Sequence, residues 1–258
     1  MHTNLLNLKP FFTFYGGKFR AAPRYPAPRY NHVIEPFAGS AGYAVRYAHL
    51  RVTIYEVDEK VYGVWNYLQH ASEREILSLP IGITHVDEID GPQEAKWLVG
   101  FWFNKGCESP RLSASKWMKS GIRPKSQWGD IIRSRIAGQL QYIRHWTILK
   151  RRASDAPDVE ATWFVDPPYQ QAGKHYRCKI MDYNALGDWC RTRRGQVMVC
   201  ENAGATWLPF REFATIKASP GKHKASHVSE EVIWTNETTD RFYASQSASS
   251  WACARPNT

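Results

Sequence analysis

His32-Val33-Ile34-Glu35-Pro36-Phe37-Ala38-Gly39-Ser40-Ala41-Gly42 is a short apolar run stopped by a proline and followed by a turn of small residues. Pro36 has no N–H to give to a ladder, so it ends the strand that precedes it, and a helix is expected to leave the turn over 43–50. Arg51-Val52-Thr53-Ile54-Tyr55 is a second β-branched run, closed by Glu56, and Val61, Val64, Trp65 and Leu68 follow it at helical spacing. Strand, loop, helix, strand, helix is the signature of a parallel α/β sheet, whose ligands sit at the carboxyl ends of the strands.

From Asp87 to about Arg152 the pattern turns helical and basic. Pro92 is placed to start a helix that buries Trp97, Leu98, Phe101 and Trp102 before Gly106. A second helix carries Trp128, Ile131, Ile132, Ile136, Leu140 and Ile143 on one face. Between the two, Cys107 to Gln127 reads as a long loop holding Arg111, Lys116, Lys119, Arg123 and Lys125 around Trp117, and loops of that length tend to be functional or disordered. After a linker from Arg151 to Glu160, Thr162-Trp163-Phe164-Val165 is a third strand running into Asp166-Pro167-Pro168-Tyr169. Ala185, Leu186 and Trp189 mark another helix, Gln196 to Cys200 a fourth strand with Glu201-Asn202 at its carboxyl end, and Val228 to Trp234 a last, antiparallel edge strand. Thr239 to Thr258 reads as a poorly ordered tail. The expected fold is therefore a doubly wound, Rossmann-like α/β sheet formed by 1–86 and 153–258, interrupted by a mainly helical insertion over 87–152.

Composition agrees with one packed domain carrying an insertion. The chain has 258 residues, 43% hydrophobic, 22% charged and 14% aromatic, which excludes collagen-like, coiled-coil and wholly disordered classes. Its formal charge of +10 favours an anionic partner, although charge alone does not separate nucleic acid from an acidic membrane surface. Met1 to Leu8 is polar and no run approaches the length of a membrane span, so a cytosolic protein with no membrane partner is expected. Five cysteines, Cys107, Cys178, Cys190, Cys200 and Cys253, form no C-x-x-C pair and read as reduced, mostly buried thiols. No metal site is expected.

Three local patterns carry chemistry. Asp166-Pro167-Pro168-Tyr169 follows directly on an apolar strand. Two successive prolines fix φ and supply no N–H, so the turn presents carbonyls and one carboxylate with no donor from Pro167 or Pro168. Such an acceptor array suits an amino group: two acceptors on the hydrogens of a nucleobase's exocyclic amine orient its lone pair toward an electrophile, with Tyr169 stacked on the base. The second pattern is the turn from Glu35 to Gly42 together with Glu56. Glycines admit a ligand close to the backbone, and an acid at the tip of the second strand is placed to accept from ribose hydroxyls, a geometry that nicotinamide-binding folds share. The full G-x-G-x-x-G of those folds is absent. The third is Phe14-Tyr15-Gly16-Gly17-Lys18, an aromatic before a tight Gly-Gly turn.

In this order the three patterns resemble the class α, Dam-type, S-adenosyl-L-methionine-dependent DNA adenine-N6 methyltransferases, over roughly residues 11 to 235. The resemblance implies a methyltransferase sheet in which the F-x-G-G-K segment, Tyr15, Gly16, Gly17 and Lys18, lies beside the cofactor. The E-P-F-x-G-x-G segment, carried over to Glu35, Pro36, Phe37, Gly39, Ser40 and Gly42, wraps its methionine end. Glu56 corresponds to the acid that holds the ribose, where the family more often has Asp, and Val57 lies beside the adenine ring. D-P-P-Y is the catalytic motif, here Asp166, Pro167, Pro168 and Tyr169, with Asp166 also facing the cofactor. The family's target-recognition region falls in the basic insertion, which makes Arg111, Lys116, Lys119, Arg123 and Lys125 the candidates for contact with double-stranded DNA. The compact length and the Gly-Lys-His-Tyr-Arg run after the catalytic motif look like stand-alone phage or prophage enzymes, with or without a restriction partner, and a monomer is compatible with duplex methylation. The implied reaction flips an adenine out of the duplex. An RNA adenine-N6 methyltransferase and a catalytically silent DNA-binding relative are the alternatives.

Overall fold

The structure, a computed structural model, describes residues 8–104, 106–121, 124–171, 180, 182–217 and 228–237. In chain order its strands and α-helices are β1 His32–Glu35, β2 Arg51–Tyr55, α1 Glu59–His70, α2 Glu73–Ser78, α3 Gln93–Trp102, α4 Lys116–Lys119, α5 Asp130–Gln139, β3 Thr147–Leu149, β4 Ala161–Val165, α6 Tyr183–Thr192, β5 Gly195–Asn202, β6 Arg211–Lys217 and β7 Val228–Thr235. This is an α/β fold of seven strands with mostly parallel pairing. The chain divides into two compact units, Met1–Pro23 with Ala38–Arg152 and Arg24–Phe37 with Ala153–Thr258.

In the first unit β2 pairs in parallel with β3, Thr53 opposite Thr147 and Tyr55 opposite Leu149. At three residues β3 is too short to show a period, and the sequence gives no sign of it. Asp58 caps α1 by accepting from the N–H groups of Lys60 and Val61, and Val61, Val64, Trp65 and Leu68 are buried at the expected spacing. Trp65 is the hub of this core, its ring 5.6 Å from Phe11, 5.3 Å from Phe12 and 5.6 Å from Trp146. In α3, Leu98, Phe101 and Trp102 are buried and Trp97 is half-buried. The second helix is shorter than expected: Ile132 and Ile136 are buried on α5, Trp128 before it and Leu140 and Ile143 in the 3-10 turn after it are buried as well, and Ile131 is 45% exposed. Successive helical residues point about 100° apart, so Ile131 and Ile132 cannot share one face.

Two further expectations are corrected in this unit. The helix expected over 43–50 is only a 3-10 turn, Ala44–Tyr47. Tyr43, Ala44, Val45, Tyr47 and Ala48 are all buried, so the packing around this segment, rather than a stripe of its own, fixes its shape. The long loop from Cys107 to Gln127 contains the short helix α4, capped by Ser115, whose side chain accepts from the N–H of Met118 at 3.1 Å.

The second unit is one run of paired strands, β1-β4-β5-β7-β6. β1, β4 and β5 are parallel, with Val33 opposite Thr162 and Trp163 opposite Val197. β4 is buried along its whole length, as a strand with parallel neighbours on both sides should be. β7 is antiparallel to β5, as expected, but it is not the edge: β6 lies outside it. The sequence carries no clear sign of β6, because a register shift between Glu212 and Ala214 breaks its alternation. The tail from Thr239 to Thr258 and the run from Gly173 to Arg177 lie outside the described residues. Among the described residues no helix is long and apolar enough to cross a membrane.

Candidate active site

In the first unit the structure brings the Gly-Gly turn, the small-residue turn and Glu56 together. Gly17 donates its N–H to the Phe14 carbonyl at 3.2 Å, and a Cβ added to Gly17 would stand 2.8 Å from Ser40 Oγ. Gly42 is pressed harder, since a Cβ there would meet the backbone nitrogen of Phe19 at 2.4 Å, an approach no other residue type can make without moving the main chain. Lys18 is buried and donates from Nζ to the Gly16 carbonyl at 3.0 Å. Tyr15 is exposed, its N–H on the Cys107 carbonyl at 3.2 Å.

The turn itself is fastened from two sides. Gly39 donates its N–H to Glu56 Oε2 at 3.0 Å, and its carbonyl accepts from Trp65 Nε1 at 2.8 Å. Trp65 is a residue the sequence marks only as core. Glu56 Oε1 accepts from the N–H groups of Val57 and Asp58, both at 2.8 Å. Glu56 is half-buried, and burial, resisted by these three N–H donors, raises its carboxyl to about 7. Val57 is exposed. In an E-P-F-x-G-x-G spacing the second glycine stands two places after the first, which in this chain is Ala41, with Gly42 one place further on. Ala41 has φ +46°, the left-handed backbone that favours glycine.

The second unit holds Glu35, Pro36 and Phe37, and the division between units falls inside the motif, after Phe37. Glu35 and Pro36 are buried and Phe37 half-buried. β1 and β4 run parallel with Ile34 opposite Trp163, so both present their carboxyl ends at one edge of the sheet. Asp166-Pro167-Pro168-Tyr169 leaves β4 at that edge, with Asp166, Pro168 and Tyr169 half-buried and Pro167 buried. The Pro168 carbonyl accepts from Tyr183 Oη at 2.7 Å. Glu201, at the end of β5, accepts the N–H of Gln170 on Oε1 at 2.5 Å and its neighbour Asn202's N–H on Oε2 at 2.9 Å. Burial, then the nearby Asp166 charge, pushes the Tyr169 phenol well above its ordinary value, so Tyr169 is neutral at any working pH. Tyr25 lies in the same wall, donating to Glu231 Oε2 at 2.9 Å and stacking on Phe213 at 4.4 Å. Glu201, Tyr183 and Tyr25 belong to none of the three motifs. The one sequence signal among them is an acid closing the apolar strand before Asn202.

Of the candidate nucleic-acid contacts, Arg111, Lys116, Lys119 and Lys125 are exposed, and none has an ion-pair partner among the described residues. Lys116 and Lys119 stand on α4, and Lys119 borders a groove of about 540 Å³ with Met118, Trp128 and Ile131. Arg123 lies outside the described residues, as do His175, Lys222, His223 and Lys224. Cys107, Cys190 and Cys200 are buried and in no disulfide; Cys178 and Cys253 lie outside the described residues. No group of His, Cys, Asp and Glu among the described residues is arranged to hold a metal. Compared with known proteins, the chain matches no protein-family model and no curated protein at a significant level.

Proposed function

We propose that the protein is an S-adenosyl-L-methionine-dependent DNA adenine-N6 methyltransferase of the class α, Dam-type kind, with a doubly wound methyltransferase sheet and its target-recognition region within 87–152. The observation that carries the proposal is the acceptor turn after β4. Its two prolines supply no N–H, the Pro168 carbonyl is already taken by Tyr183, and the carbonyl of Pro167 has no hydrogen-bond donor among the described residues. Asp166 and that carbonyl are the two acceptors an exocyclic amine needs.

The residues of the first unit fit the cofactor. A carboxylate has about four lone-pair sites, and three backbone N–H groups on Glu56 leave room for one more donor, a ribose hydroxyl. Val57, the next residue in the chain, is exposed and supplies apolar surface for an adenine ring, and Tyr15 is an exposed aromatic on the Gly-Gly turn. When bound, the cofactor supplies a methyl group on a positively charged sulfur. Asp166 and the Pro167 carbonyl then accept the N6 hydrogens of a flipped adenine and turn its lone pair outward, while Tyr169, held neutral, stacks on the base. The rate enhancement comes from this positioning and from fixed dipoles around the amine.

The test is to incubate the protein with labelled S-adenosyl-L-methionine and unmethylated duplex DNA and to analyse the nucleosides by mass spectrometry. N6-methyladenine is the expected product. Label appearing only in structured RNA, or no methylated nucleoside while the cofactor still binds, overturns the DNA assignment.

A further inference from the structure

We propose that Glu201 is a positioning residue for the acceptor turn: its carboxylate, anchored on β5, holds the backbone of Gln170 and so fixes how Asp166, the Pro167 carbonyl and Tyr169 are presented. The inference rests on the methyl-transfer reading and adds to it a residue outside the three motifs.

The need for such a residue follows from the turn's own chemistry. Pro167 and Pro168 have no N–H, so the turn cannot be pinned by the ladder bonds that fix an ordinary strand end. It has to be held through its carbonyls and through the N–H groups that flank it. Both means are present. Tyr183, the first residue of α6, donates to the Pro168 carbonyl at 2.7 Å. Gln170, the residue after Tyr169, donates its N–H to Glu201 Oε1 at 2.5 Å.

Glu201 suits that task because it is itself buried and anchored in the sheet. It is 1% exposed on a strand paired on both sides, and a buried carboxylate is tolerated only where donors fill its lone pairs. The donors come from two places, Gln170 on the turn and Asn202 on β5, with Trp207 Nε1 at 3.5 Å behind them. The carboxylate is thus a bridge between the turn and the sheet. Burial raises its carboxyl group above the ordinary range, and the charge of Asp166 adds to this, against the pull of the three donors. The Gln170 side chain continues the attachment by accepting from the N–H of Thr206 at 3.2 Å. A glutamine at 201 retains one acceptor oxygen for two backbone N–H groups, and an alanine retains none.

The experiment compares the full-length wild type with Glu201→Ala, Glu201→Gln and Tyr183→Phe, using unmethylated duplex DNA and labelled S-adenosyl-L-methionine, and reads kcat, KM for DNA and the cofactor Kd. A misplacement of about 1 Å at a reacting centre costs roughly a hundredfold in rate, so Glu201→Ala is expected to lose about that much in kcat while KM and Kd stay within about threefold. Glu201→Gln is expected to fall between wild type and Glu201→Ala. Tyr183→Phe, which loosens the same turn from α6 without touching Glu201, is expected to lower kcat alone by roughly threefold to tenfold. Should Glu201→Ala not fold, Glu201→Gln and Tyr183→Phe carry the test. Wild-type kcat in both of these, or a loss of kcat matched by equal losses of DNA and cofactor binding, overturns the positioning role. A wild type that transfers no methyl group to adenine overturns the proposed function, and the positioning role with it.

Discussion

At the scale of single residues, Ala41 and Asp166 make the sharpest predictions. Ala41 holds φ +46° with a Cβ, a conformation that costs an L-residue about 1–2 kcal/mol. Replacing alanine with glycine ordinarily destabilises by roughly 0.5–1 kcal/mol through the unfolded chain. Ala41→Gly is therefore expected to be neutral or stabilising by up to about 1 kcal/mol, and urea denaturation checks it; the ordinary destabilisation at this site would show that the left-handed backbone carries no strain. Under the proposed function, Asp166→Ala removes one of the two acceptors for the amine. Its expected outcome is loss of turnover, with DNA and cofactor Kd values within about tenfold of wild type, because in the proposed reaction the group acts on the reacting amine rather than on the ground-state complex. Equal losses in binding and in turnover would take the catalytic role away from it. Asp166 is recognisable without a structure because D-P-P-Y after an apolar strand is rare and rigid. Trp65 and Glu201 are not, because their bonds to Gly39 and Gln170 join residues 26 and 31 positions apart.

At the scale of elements, α1, α3, α5 and α6 were readable because each buries one stripe at helical spacing, and β1, β2, β4 and β5 because each is a compact apolar run. Elements without such a stripe were not. The turn Ala44–Tyr47 is buried nearly all round, β3 has three residues, and β6 is interrupted by a register shift. Each of these is fixed by its neighbours rather than by its own pattern. The short helix α4 belongs here as well, since it stands in what reads as a loop and projects Lys116 and Lys119 one turn apart with no ion-pair partner among the described residues. If these two lysines neutralise phosphates, the double variant Lys116→Ala with Lys119→Ala will bind duplex DNA more weakly for every sequence tested. The slope of log K against log salt will fall by about 2, close to 0.9 for each phosphate that is no longer neutralised. An unchanged slope would return both side chains to the role of solvated surface charges.

At the scale of the whole molecule, stability is tied to pH through its buried carboxyls. Burial raises Glu56 to about 7 and raises Glu201 as well. A carboxyl whose folded pKa lies above its unfolded value keeps an extra proton in the folded state, so its contribution is complete below roughly pH 4.5 and is lost as pH climbs through the folded value. The unfolding free energy of the wild type should carry a falling component between about pH 4.5 and 7 that Glu56→Gln lacks. Urea titrations of both proteins at pH 5, 6, 7 and 8 measure the difference, and parallel curves would mean that Glu56 titrates alike in the folded and unfolded chain. The amino-acid sequence by itself determined the α/β class, the strands that end in Glu56 and Asp166, and the acidic and proline residues at those ends, because periodicity, proline and charge act within a few residues. Only the tertiary structure decided which groups those ends lean on: Gly39, itself held by Trp65, for Glu56, and Tyr183 and Glu201 for the acceptor turn; it also set β6 rather than β7 at the edge. Hydrogen bonds and strand pairings between residues far apart in the chain exist only once packing has brought them together, and no local pattern encodes them.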